Sequence, residues 1–443
     1  MHIVFFTDNY IPETNPSANR VSERARLWVQ KGHRVTVITS FPNFPKGKVF
    51  DGYKNRFFGA REEIEGVEVV RVWTFIAPNK GRVFRVIDFL SYMFSAFFTF
   101  MFRIEKPDVV ACTSPQFFCA VAAGVGSFLR RVPFVMEVSD LWPDAVAQLG
   151  VVKNRKLLAP FFWIERRLYA HASGIILLTE AYRRNLLARN VDDRKIAIIR
   201  NGADQRMVKD IPTDIELKNE LGLNDKFVIG YAGTLGIAQN LMNAVEGMEK
   251  LERDGYNQVA LLIIGAGAEA EALQAKIKTM SNVVFVDAIP RSEMSRYLSV
   301  CDVSLSHLKD SASNETVIPS KVFEAMGIGK PVMLVSPNGE GAQILKALEI
   351  GLHVPAGSPE KFALGALALA NDPQALVGYR ENCIKNASSH TRTIQAERYL
   401  EALNVAVSTR HRALLKTEPS GENLMAKTGD QLVLPPLDER TEV

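Results

Sequence analysis

Short apolar runs alternate with helical stretches along the first half of the chain. Strand-length runs lie at residues 2–7, 34–39, 67–72, 108–112, 134–138, 174–178 and 196–199. Continuous apolar runs of this length are typical of parallel strands that are buried on both faces. Residues 18–31 predict a helix that ends at Gly32, a residue suited to a helix C-terminus. The alternation indicates parallel α/β construction.

The same alternation starts again after a polar bridge at residues 204–225, which contains Pro212. Further strands are predicted at 227–231, 260–264, 283–286, 303–305 and 331–335. We therefore predict two doubly wound, Rossmann-like domains, 1–204 and 205–385, that bind ligand in a cleft at the carboxyl ends of their strands. Residues 386–415 are predicted as C-terminal helices that pack back on the first domain, and 416–443 as a polar, disordered tail.

Composition and charge narrow the class of protein. Apolar residues make up 47% of the 443 positions and charged residues 23%, which excludes extended disorder, collagen and coiled coil. The net charge of +4 is unevenly divided, because residues 1–204 carry 29 Lys and Arg against 19 Asp and Glu. This basic half favours an anionic partner. A membrane surface or a phosphorylated ligand is preferred over nucleic acid, because we find no groove-reading motif.

Cysteine usage and the N-terminus indicate a reducing, cytoplasmic setting. The four cysteines are scattered too widely for a disulfide framework or a CxxC metal site. The seven histidines show no HxxxH or HExxH spacing, so we expect no bound metal. Residues 1–7 lack the basic start and the cleavage site of a signal peptide, and they are predicted as a buried strand.

One segment departs from the pattern of a soluble α/β domain. Residues 86–102 contain six phenylalanines and a single charge, Asp88, and basic residues flank them between 82 and 106. The charge-free part is too short for a membrane span, which needs about 20 apolar residues. We expect either a helix that lies in the headgroup region of a membrane or a helix buried between the sheet and neighbouring helices.

Two glycine-rich turns follow predicted strands in the second half. The first, 233–236, precedes a helical stretch that starts near Gln239, and the N–H groups and positive dipole at such a helix start suit a phosphate. Alternatively, residues 233–236 form a tight turn that binds no ligand. The run 265–270 imitates a dinucleotide-binding fingerprint, with Asp287 at the spacing of its acidic residue. Because this run comes late in its domain, we do not assign it a nicotinamide cofactor.

The stretch 317–332 concentrates candidate ligand-binding residues. Ser320 is predicted as a helix cap, and Lys321 and Glu324 then share one helical face. A lysine at a helix start can pair with a diphosphate, and a carboxylate one turn later can accept both hydroxyls of a ribose. A surface ion pair between these two residues is the alternative.

In the first half, polar residues follow two predicted strands. Asp140 comes directly after a buried strand, at the strand end where α/β folds place reacting groups. Its alternative role is to cap the next helix. The segment after the first strand supplies Glu13, Asn19 and Arg20 to the same edge.

Taken together, these stretches resemble the glycosyltransferases of family 4, above all the bacterial surface-polysaccharide branch that includes O-antigen transferases of the N-acetyl-L-fucosamine type. The resemblance covers about residues 1–405. It is carried by the motifs YIPETNPSANR (10–20), KGHRVTVITSFPNFPKG (31–47), SDLWPD (139–144), RNGAD (200–204), GTLGIAQN (233–240), IPSKVFEAMGIGKPV (318–332) and GEGAQI (339–344).

The resemblance implies a GT-B fold in which the C-terminal domain binds a UDP-sugar and the acceptor enters from the N-terminal domain. It also implies retention of the anomeric configuration without a required metal or other cofactor. Glu324 matches the family's ribose-binding glutamate, Lys321 and the 233–236 turn would meet the diphosphate, and Asp140 lies on the catalytic-cleft loop.

The site residues expected on this basis form three groups. The catalytic group is Asp140, Lys321 and Glu324, and the acceptor group is Glu13, Asn19, Arg20 and Trp142. The nucleotide-sugar group is Gly233, Thr234, Gly236, Gln239, Gly265, Ile289, Glu315, Thr316, Ser320, Lys321 and Glu324. The chain departs from the common family pattern at Thr316, where many members have a sugar-contacting glutamate, at Ser139, where many have histidine, and at Ile237 and Gln239, where many have an Arg/Lys pair.

We expect an enzyme peripheral to the inner face of the cytoplasmic membrane and held there through residues 82–106. It would transfer a sugar, such as an N-acetylated amino or deoxyamino sugar, from UDP to a polyprenyl-diphosphate-linked saccharide in surface polysaccharide biosynthesis. Two alternatives stay open: a UDP-sugar 2-epimerase of the same architecture and a non-catalytic nucleotide-sugar-binding scaffold.

Overall fold

The computed structural model describes residues 1–44, 46–76, 82–114, 116–144, 155–205, 208, 211–290 and 293–408. Within these residues the chain divides into two compact units. Unit 1 comprises Met1–Gly202 and the chain from His390 onward, and unit 2 comprises Ala203–Ser389. The divisions fall at 202/203 and 389/390, close to the boundaries at 204/205 and 385/386 expected from the sequence.

In the described chain, unit 1 is built on an eight-stranded sheet with the order β3-β4-β2-β1-β5-β6-β7-β8. Its strands are β1 (His2–Phe6), β2 (Arg34–Ser40), β3 (Ala60–Ile64), β4 (Val67–Val72), β5 (Val109–Thr113), β6 (Phe134–Val138), β7 (Gly174–Leu177) and β8 (Ile196–Ile198). Strand β3 pairs antiparallel with β4, and the other described pairs are parallel. Strand β3 was not predicted, because its sequence AREEI is polar, as an edge strand can be.

The helices of unit 1 cover the two faces of this sheet. They are α1 (Pro16–Gln30), α2 (Arg82–Arg103), α3 (Phe117–Arg130), α4 (Ala159–His171), α5 (Glu180–Ala188) and the C-terminal α15 (Arg392–Ser408), with single 3₁₀ turns at Arg155–Leu158 and Asp193–Lys195. Helix α1 begins earlier than predicted because the Asn15 side chain accepts a hydrogen bond from the Ala18 N–H, at 2.8 Å.

Helix α2 contains the aromatic segment and has two different faces. Tyr92, Ala96 and Phe100 are buried, and the Tyr92 hydroxyl lies 3.0 Å from the Thr7 carbonyl oxygen. Phe94 and Phe98 are exposed on the other side. By length and composition alone, Phe84–Arg103 could cross a membrane. One side of α2 is therefore protein core, and the other side is exposed.

Within the described residues, unit 2 is built on a six-stranded parallel sheet with the order β11-β10-β9-β12-β13-β14. The strands are β9 (Phe227–Ala232), β10 (Val259–Ile264), β11 (Val283–Val286), β12 (Val303–His307), β13 (Val332–Ser336) and β14 (Gly351–Pro355). The helices are α6 (Ile215–Glu220), α7 (Leu241–Arg253), α8 (Ala270–Ile277), α9 (Met294–Ser299), α10 (Ala312–Glu315), α11 (Ser320–Gly327), α12 (Glu340–Leu348), α13 (Pro359–Ala370) and α14 (Pro373–Ala387).

Each strand order reverses once, and the reversals locate the candidate sites. In unit 1 the order changes direction between β1 and β5, and in unit 2 between β9 and β12. Ligands of doubly wound sheets bind outside the carboxyl ends of the strands at such a reversal. The predicted fold, two doubly wound parallel-sheet units, is confirmed.

The C-terminal helix α15 belongs to unit 1. The indole N–H of Trp28 donates a 2.9 Å hydrogen bond to the carbonyl oxygen of Ala396, and the Trp28 ring packs against Tyr399 at 5.3 Å between centroids. Both rings are buried with Phe5 in one hydrophobic cluster. This contact fixes the last described helix to the sheet that begins the chain.

Replacing Trp28 with phenylalanine should lower the free energy of unfolding by about 2 kcal/mol, because it removes a buried donor and leaves a small cavity. The measurement is urea unfolding followed by circular dichroism. Trp163→Phe is the matched control, since Trp163 is exposed and should change stability by less than about 0.5 kcal/mol. Equal transition midpoints for the two variants would contradict this role of Trp28.

Candidate active site

The turn that follows β9 is closed by the loop that follows β10. The Gly233 N–H donates to the Ile264 carbonyl oxygen and the Leu235 N–H to the Ala266 carbonyl oxygen, both at 2.9 Å. Two of the four N–H groups that we predicted to bind a phosphate therefore donate hydrogen bonds within the protein. Within the described chain, the N–H groups of Thr234 and Gly236 donate no hydrogen bond to the protein.

Gly265, in the loop after β10, packs against this turn. Its φ of +153° lies in a region that side chains rarely adopt, and a Cβ there would overlap the Gly233 carbonyl oxygen. Gly265 packs against the backbone of Gly233, and its contact with the nucleotide-sugar stays a prediction. The 265–270 run thus has a structural reason for its glycines that does not involve a dinucleotide.

Lys321 extends from helix α11 onto the same turn. Its ammonium group donates a hydrogen bond to the Ala232 carbonyl oxygen and lies 5.0 Å from the centroid of the Tyr231 ring. Gly233 has a φ of +144°, which side chains rarely adopt, and a Cβ there would overlap the Lys321 Nζ, so glycine is favoured where the cation lies. Burial lowers the pKa of Lys321, and the nearby Glu324 carboxylate opposes that shift. The fold thus brings Lys321, Glu324 and the turn together.

The beginning of α11 differs from the prediction. Pro319 occupies the cap position, and Ser320 is the first helical residue and makes no side-chain capping bond. The Thr316 hydroxyl donates to the Ser313 carbonyl oxygen at 2.9 Å, and Glu315 is exposed. Helix α11 therefore starts without a side-chain cap.

Two further predicted residues flank the turn. Gln239 precedes α7, which starts at Leu241 rather than at Gln239. The Nδ1–H of His307, at the carboxyl end of β12, donates to the Gln239 carbonyl oxygen at 2.6 Å. Burial lowers the pKa of His307 to about 4, so the ring is neutral at pH 7. Ile289 follows β11 and is partly buried against the cluster that contains Leu262.

In unit 1, a buried carboxylate organises the strand end near Asp140. Glu137 forms salt bridges with Arg24 at 2.6 Å and with Arg20 at 3.1 Å. Although burial opposes it, the two guanidinium groups hold the pKa of Glu137 below its usual value. Arg20 also donates to the Ser139 hydroxyl at 3.0 Å, next to Asp140. Arg20 was predicted to bind acceptor, but much of its hydrogen-bonding capacity is used within this network.

Asp140 lies two residues beyond the end of β6, where the sequence placed it. Desolvation raises its pKa and the charge of Arg20 opposes the shift. Trp142 stacks on Phe117, with 4.4 Å between centroids, and packs edge-on against Phe161. Its ring is part of this aromatic cluster and is half-buried, and its contact with acceptor stays a prediction.

The two other residues predicted to bind acceptor, Glu13 and Asn19, make hydrogen bonds within the protein. Glu13 is buried, and one of its carboxylate oxygens accepts hydrogen bonds from the N–H groups of Asn43 and Phe44, both at 2.8 Å. Asn19 donates to the Thr14 carbonyl oxygen at 3.1 Å. Both side chains therefore order the loop after β1. Asn19 is partly exposed and Glu13 is buried, and their contact with acceptor stays a prediction.

Three supporting residues were missed by the sequence analysis: Tyr231, His307 and Glu137. Tyr231 is buried, and its hydroxyl donates to the Thr234 carbonyl oxygen at 2.7 Å, across the turn. Each of the three lies within a strand-like run, so no sequence signal separates it from its core neighbours. Among the residues that the structure describes, no group of three or more His, Cys, Asp or Glu side chains is arranged to hold a metal.

Gly265→Ala should weaken the binding of UDP, the ligand expected from the resemblance, by at least about tenfold, because its methyl group would displace the Gly233 carbonyl and with it the turn. Isothermal titration calorimetry measures this change. Gly378→Ala is the control, since a Cβ there meets open space within helix α14. Unchanged affinity in Gly265→Ala would show that the turn does not form the binding site.

The neutral His307 predicts a pH dependence of stability. Its folded pKa lies below the unfolded value of about 6.5, so its contribution is present above pH 6.5 and lost as the pH falls toward 4. The stability difference between the wild type and His307→Gln should shrink by about 2 kcal/mol between pH 7 and pH 4.5. Urea unfolding at the two pH values tests this, and a difference that grows on acidification would contradict it.

Comparisons with known proteins agree with this architecture. The family model described as "Glycosyl transferase 4-like domain" matches residues 17–202, and the model described as "Glycosyl transferases group 1" matches residues 213–390. The chain is 24% identical over 336 residues to WcaI of Escherichia coli, which is named for glycosyl transfer in colanic acid biosynthesis. That match covers 74% of this chain and 82% of WcaI.

Two further proteins are similar. CapM of Staphylococcus aureus, named a capsular polysaccharide biosynthesis glycosyltransferase, is 25% identical over 172 residues, which is 38% of this chain and 43% of CapM. The crystal structure of Anabaena HepE in complex with UDP and glucose superposes with a TM-score of 0.66 at 17% identity, covering 91% of this chain and 99% of HepE. The two family matches follow each other along the two doubly wound units, and the chain therefore belongs to the GT-B glycosyltransferases of family 4.

Proposed function

We propose that this enzyme transfers a sugar from a UDP-sugar to a polyprenyl-diphosphate-linked saccharide during surface polysaccharide biosynthesis, with retention of configuration. The transferred sugar in this proposal is an N-acetylated amino or deoxyamino sugar. One observation carries the donor part: the Lys321 ammonium lies over the Gly233 turn, with Glu324 beside it. The UDP found with HepE and the names of WcaI and CapM support the donor and the pathway.

The diphosphate is assigned to Lys321 and to the N–H groups of Thr234 and Gly236. As the bond between the sugar and UDP breaks, negative charge grows on the diphosphate. Donors that are already oriented stabilise that charge without reorganising. Lys321 would exchange its hydrogen bond with the Ala232 carbonyl for a phosphate oxygen, and the Tyr231 ring beneath would keep the side chain near the turn.

Glu324 is assigned to the ribose. A carboxylate has two oxygens and can accept hydrogen bonds from both ribose hydroxyls. Glu324 lies one helical turn after Lys321, so the two residues face the same side of α11. This spacing matches a nucleotide whose diphosphate and ribose are adjacent.

The chemical step in this proposal uses no protein nucleophile. The bond from the anomeric carbon to the UDP oxygen breaks, the acceptor oxygen bonds to the same face of that carbon, and the acceptor proton passes to the leaving phosphate. Lys321 and the turn supply the positive charge, and no metal or other cofactor is assigned. Asp140, held beside the Arg20–Glu137 network, is assigned to orienting the acceptor hydroxyl.

The acceptor lipid suggests how the enzyme meets its substrate. Helix α2 exposes Phe94 and Phe98 on the side opposite its buried Tyr92. A helix with an apolar outer face and basic ends binds in the headgroup region of a bilayer. We assign the enzyme to the inner face of the cytoplasmic membrane on this basis.

The test is an assay of the purified enzyme with a panel of UDP-sugars and a polyprenyl-diphosphate-linked saccharide. The proposal predicts a glycosylated lipid that retains the anomeric configuration of the donor, with release of one UDP per transfer. Conversion of a UDP-sugar without acceptor would instead indicate a 2-epimerase. Saturable heat on titration with UDP, without either activity, would indicate a non-catalytic nucleotide-sugar-binding scaffold, and the absence of such heat would contradict the donor proposal.

Lys321→Ala should lower kcat by about 10²-fold, the order found when one oriented donor to a developing charge is removed. Lys385→Ala is the control, because Lys385 is an exposed lysine on helix α14 of the same unit. Steady-state kinetics of both variants provide the measurement. Turnover equal to the wild type in Lys321→Ala would remove this residue from the mechanism.

A further inference from the structure

The connection between residue 54 and strand β3 holds two adjacent phenylalanines on the outside of unit 1. Phe57 is 74% exposed and Phe58 is 81% exposed, among the most open large apolar side chains in the described chain. The Gly59 N–H donates to the Arg56 carbonyl oxygen at 2.8 Å, which closes the turn that presents them. Their rings pack edge-on at 5.6 Å between centroids. Two neighbouring rings held outward in this way are costly in water and suit an apolar partner.

The turn is attached to the C-terminal end of helix α2. The Arg103 guanidinium donates to the Phe58 carbonyl oxygen, and the Arg61 guanidinium donates to the Arg103 carbonyl oxygen. Phe102, immediately before Arg103, is 77% exposed, and its ring stacks on Phe98 at 6.2 Å. The aromatic turn therefore continues the exposed face of α2 beyond the end of the helix.

Helix α3 ends beside the C-terminal end of helix α2. The Arg130 guanidinium donates to the Phe100 carbonyl oxygen at 2.7 Å, which joins the C-terminal ends of α2 and α3. Just before Arg130, Phe128 and Leu129 are both exposed. Three separate chain segments thus present apolar side chains around the end of α2.

Exposed basic residues lie close to these side chains in the sequence. Lys54 and Arg56 immediately precede the aromatic pair, and Arg61, Arg103 and Arg131 are exposed close to the three segments in sequence. The nearby acid Glu105 is paired with Arg34. Exposed apolar side chains with cations close by suit a bilayer of anionic lipids. The aromatic side chains can enter the boundary of the acyl chains while the cations remain among the lipid phosphates.

We propose that these segments form one membrane-docking surface for anionic bilayers, in which the 56–59 turn is a second anchor beside helix α2. Its apolar members are Phe57, Phe58, Phe98, Phe102, Phe128 and Leu129. This proposal rests on the membrane location proposed above. It adds a second point of insertion, so that both helix α2 and the 56–59 turn attach unit 1 to the bilayer. A bilayer of anionic lipids is favoured over a protein partner because exposed basic residues lie next to the exposed apolar side chains along each of the three segments.

The experiment is co-sedimentation of the full-length enzyme with vesicles of phosphatidylglycerol and phosphatidylethanolamine, compared with vesicles of phosphatidylcholine. Phe57→Ser combined with Phe58→Ser should weaken binding to the anionic vesicles by at least about tenfold, because two aromatic side chains no longer enter the bilayer. Val377→Ser is the control, since Val377 is an exposed apolar residue on helix α14 of unit 2. It should bind as the wild type does.

The charged part is tested separately. Lys54→Gln combined with Arg56→Gln should reduce the preference for anionic over neutral vesicles and its dependence on salt. UDP binding, measured by calorimetry on each variant, should be unchanged, so failure of the donor site and failure of the docking surface give different results. Wild-type vesicle binding by the phenylalanine variant would overturn the proposal. So would wild-type protein that stays in solution with every vesicle.

Discussion

The proposed donor site depends on one close approach, that of the Lys321 ammonium to the backbone of Gly233. This approach needs a residue without a side chain at 233, and a second one at 265 so that the supporting loop can reach the same backbone. The turn cannot shift without moving the lysine, since both are tied to the end of β9. A cation held at a backbone turn in this way is suited to a diphosphate, because little reorganisation is needed when charge develops.

In unit 1 a charged side chain is also held in a fixed position at the end of a strand, but its charge is negative. There a buried carboxylate, Glu137, is held ionised by Arg20 and Arg24, and the Tyr399 ring of the C-terminal helix lies 4.0 Å from the Arg24 guanidinium. A buried charge of this kind is tolerated because it is paired and hydrogen-bonded. The network fixes the strand end that carries Asp140. In each unit, a charged side chain bound at the end of a strand therefore holds the residues assigned to chemistry.

The fold could be read from the sequence because buried parallel strands are nearly continuous apolar runs, and the edge strand β3 escaped detection because it is polar. Lys321, Glu324 and Asp140 could be identified because charged residues next to strand ends or helix starts are conspicuous. For Glu13, Trp142 and Gly265 the structure shows contacts within the protein that the motifs did not predict, since a motif indicates that a residue matters but not what it contacts. Tyr231 and His307 could not be found, because burial inside a strand hides a hydrogen bond that only the three-dimensional structure reveals.

The most direct test of the central claim is a crystal structure of the enzyme with UDP bound. The account predicts the diphosphate within hydrogen-bonding distance of the Thr234 and Gly236 N–H groups and of the Lys321 ammonium, with the ribose hydroxyls on Glu324. UDP bound elsewhere in unit 2, with the Lys321 ammonium still on the Ala232 carbonyl, would contradict it.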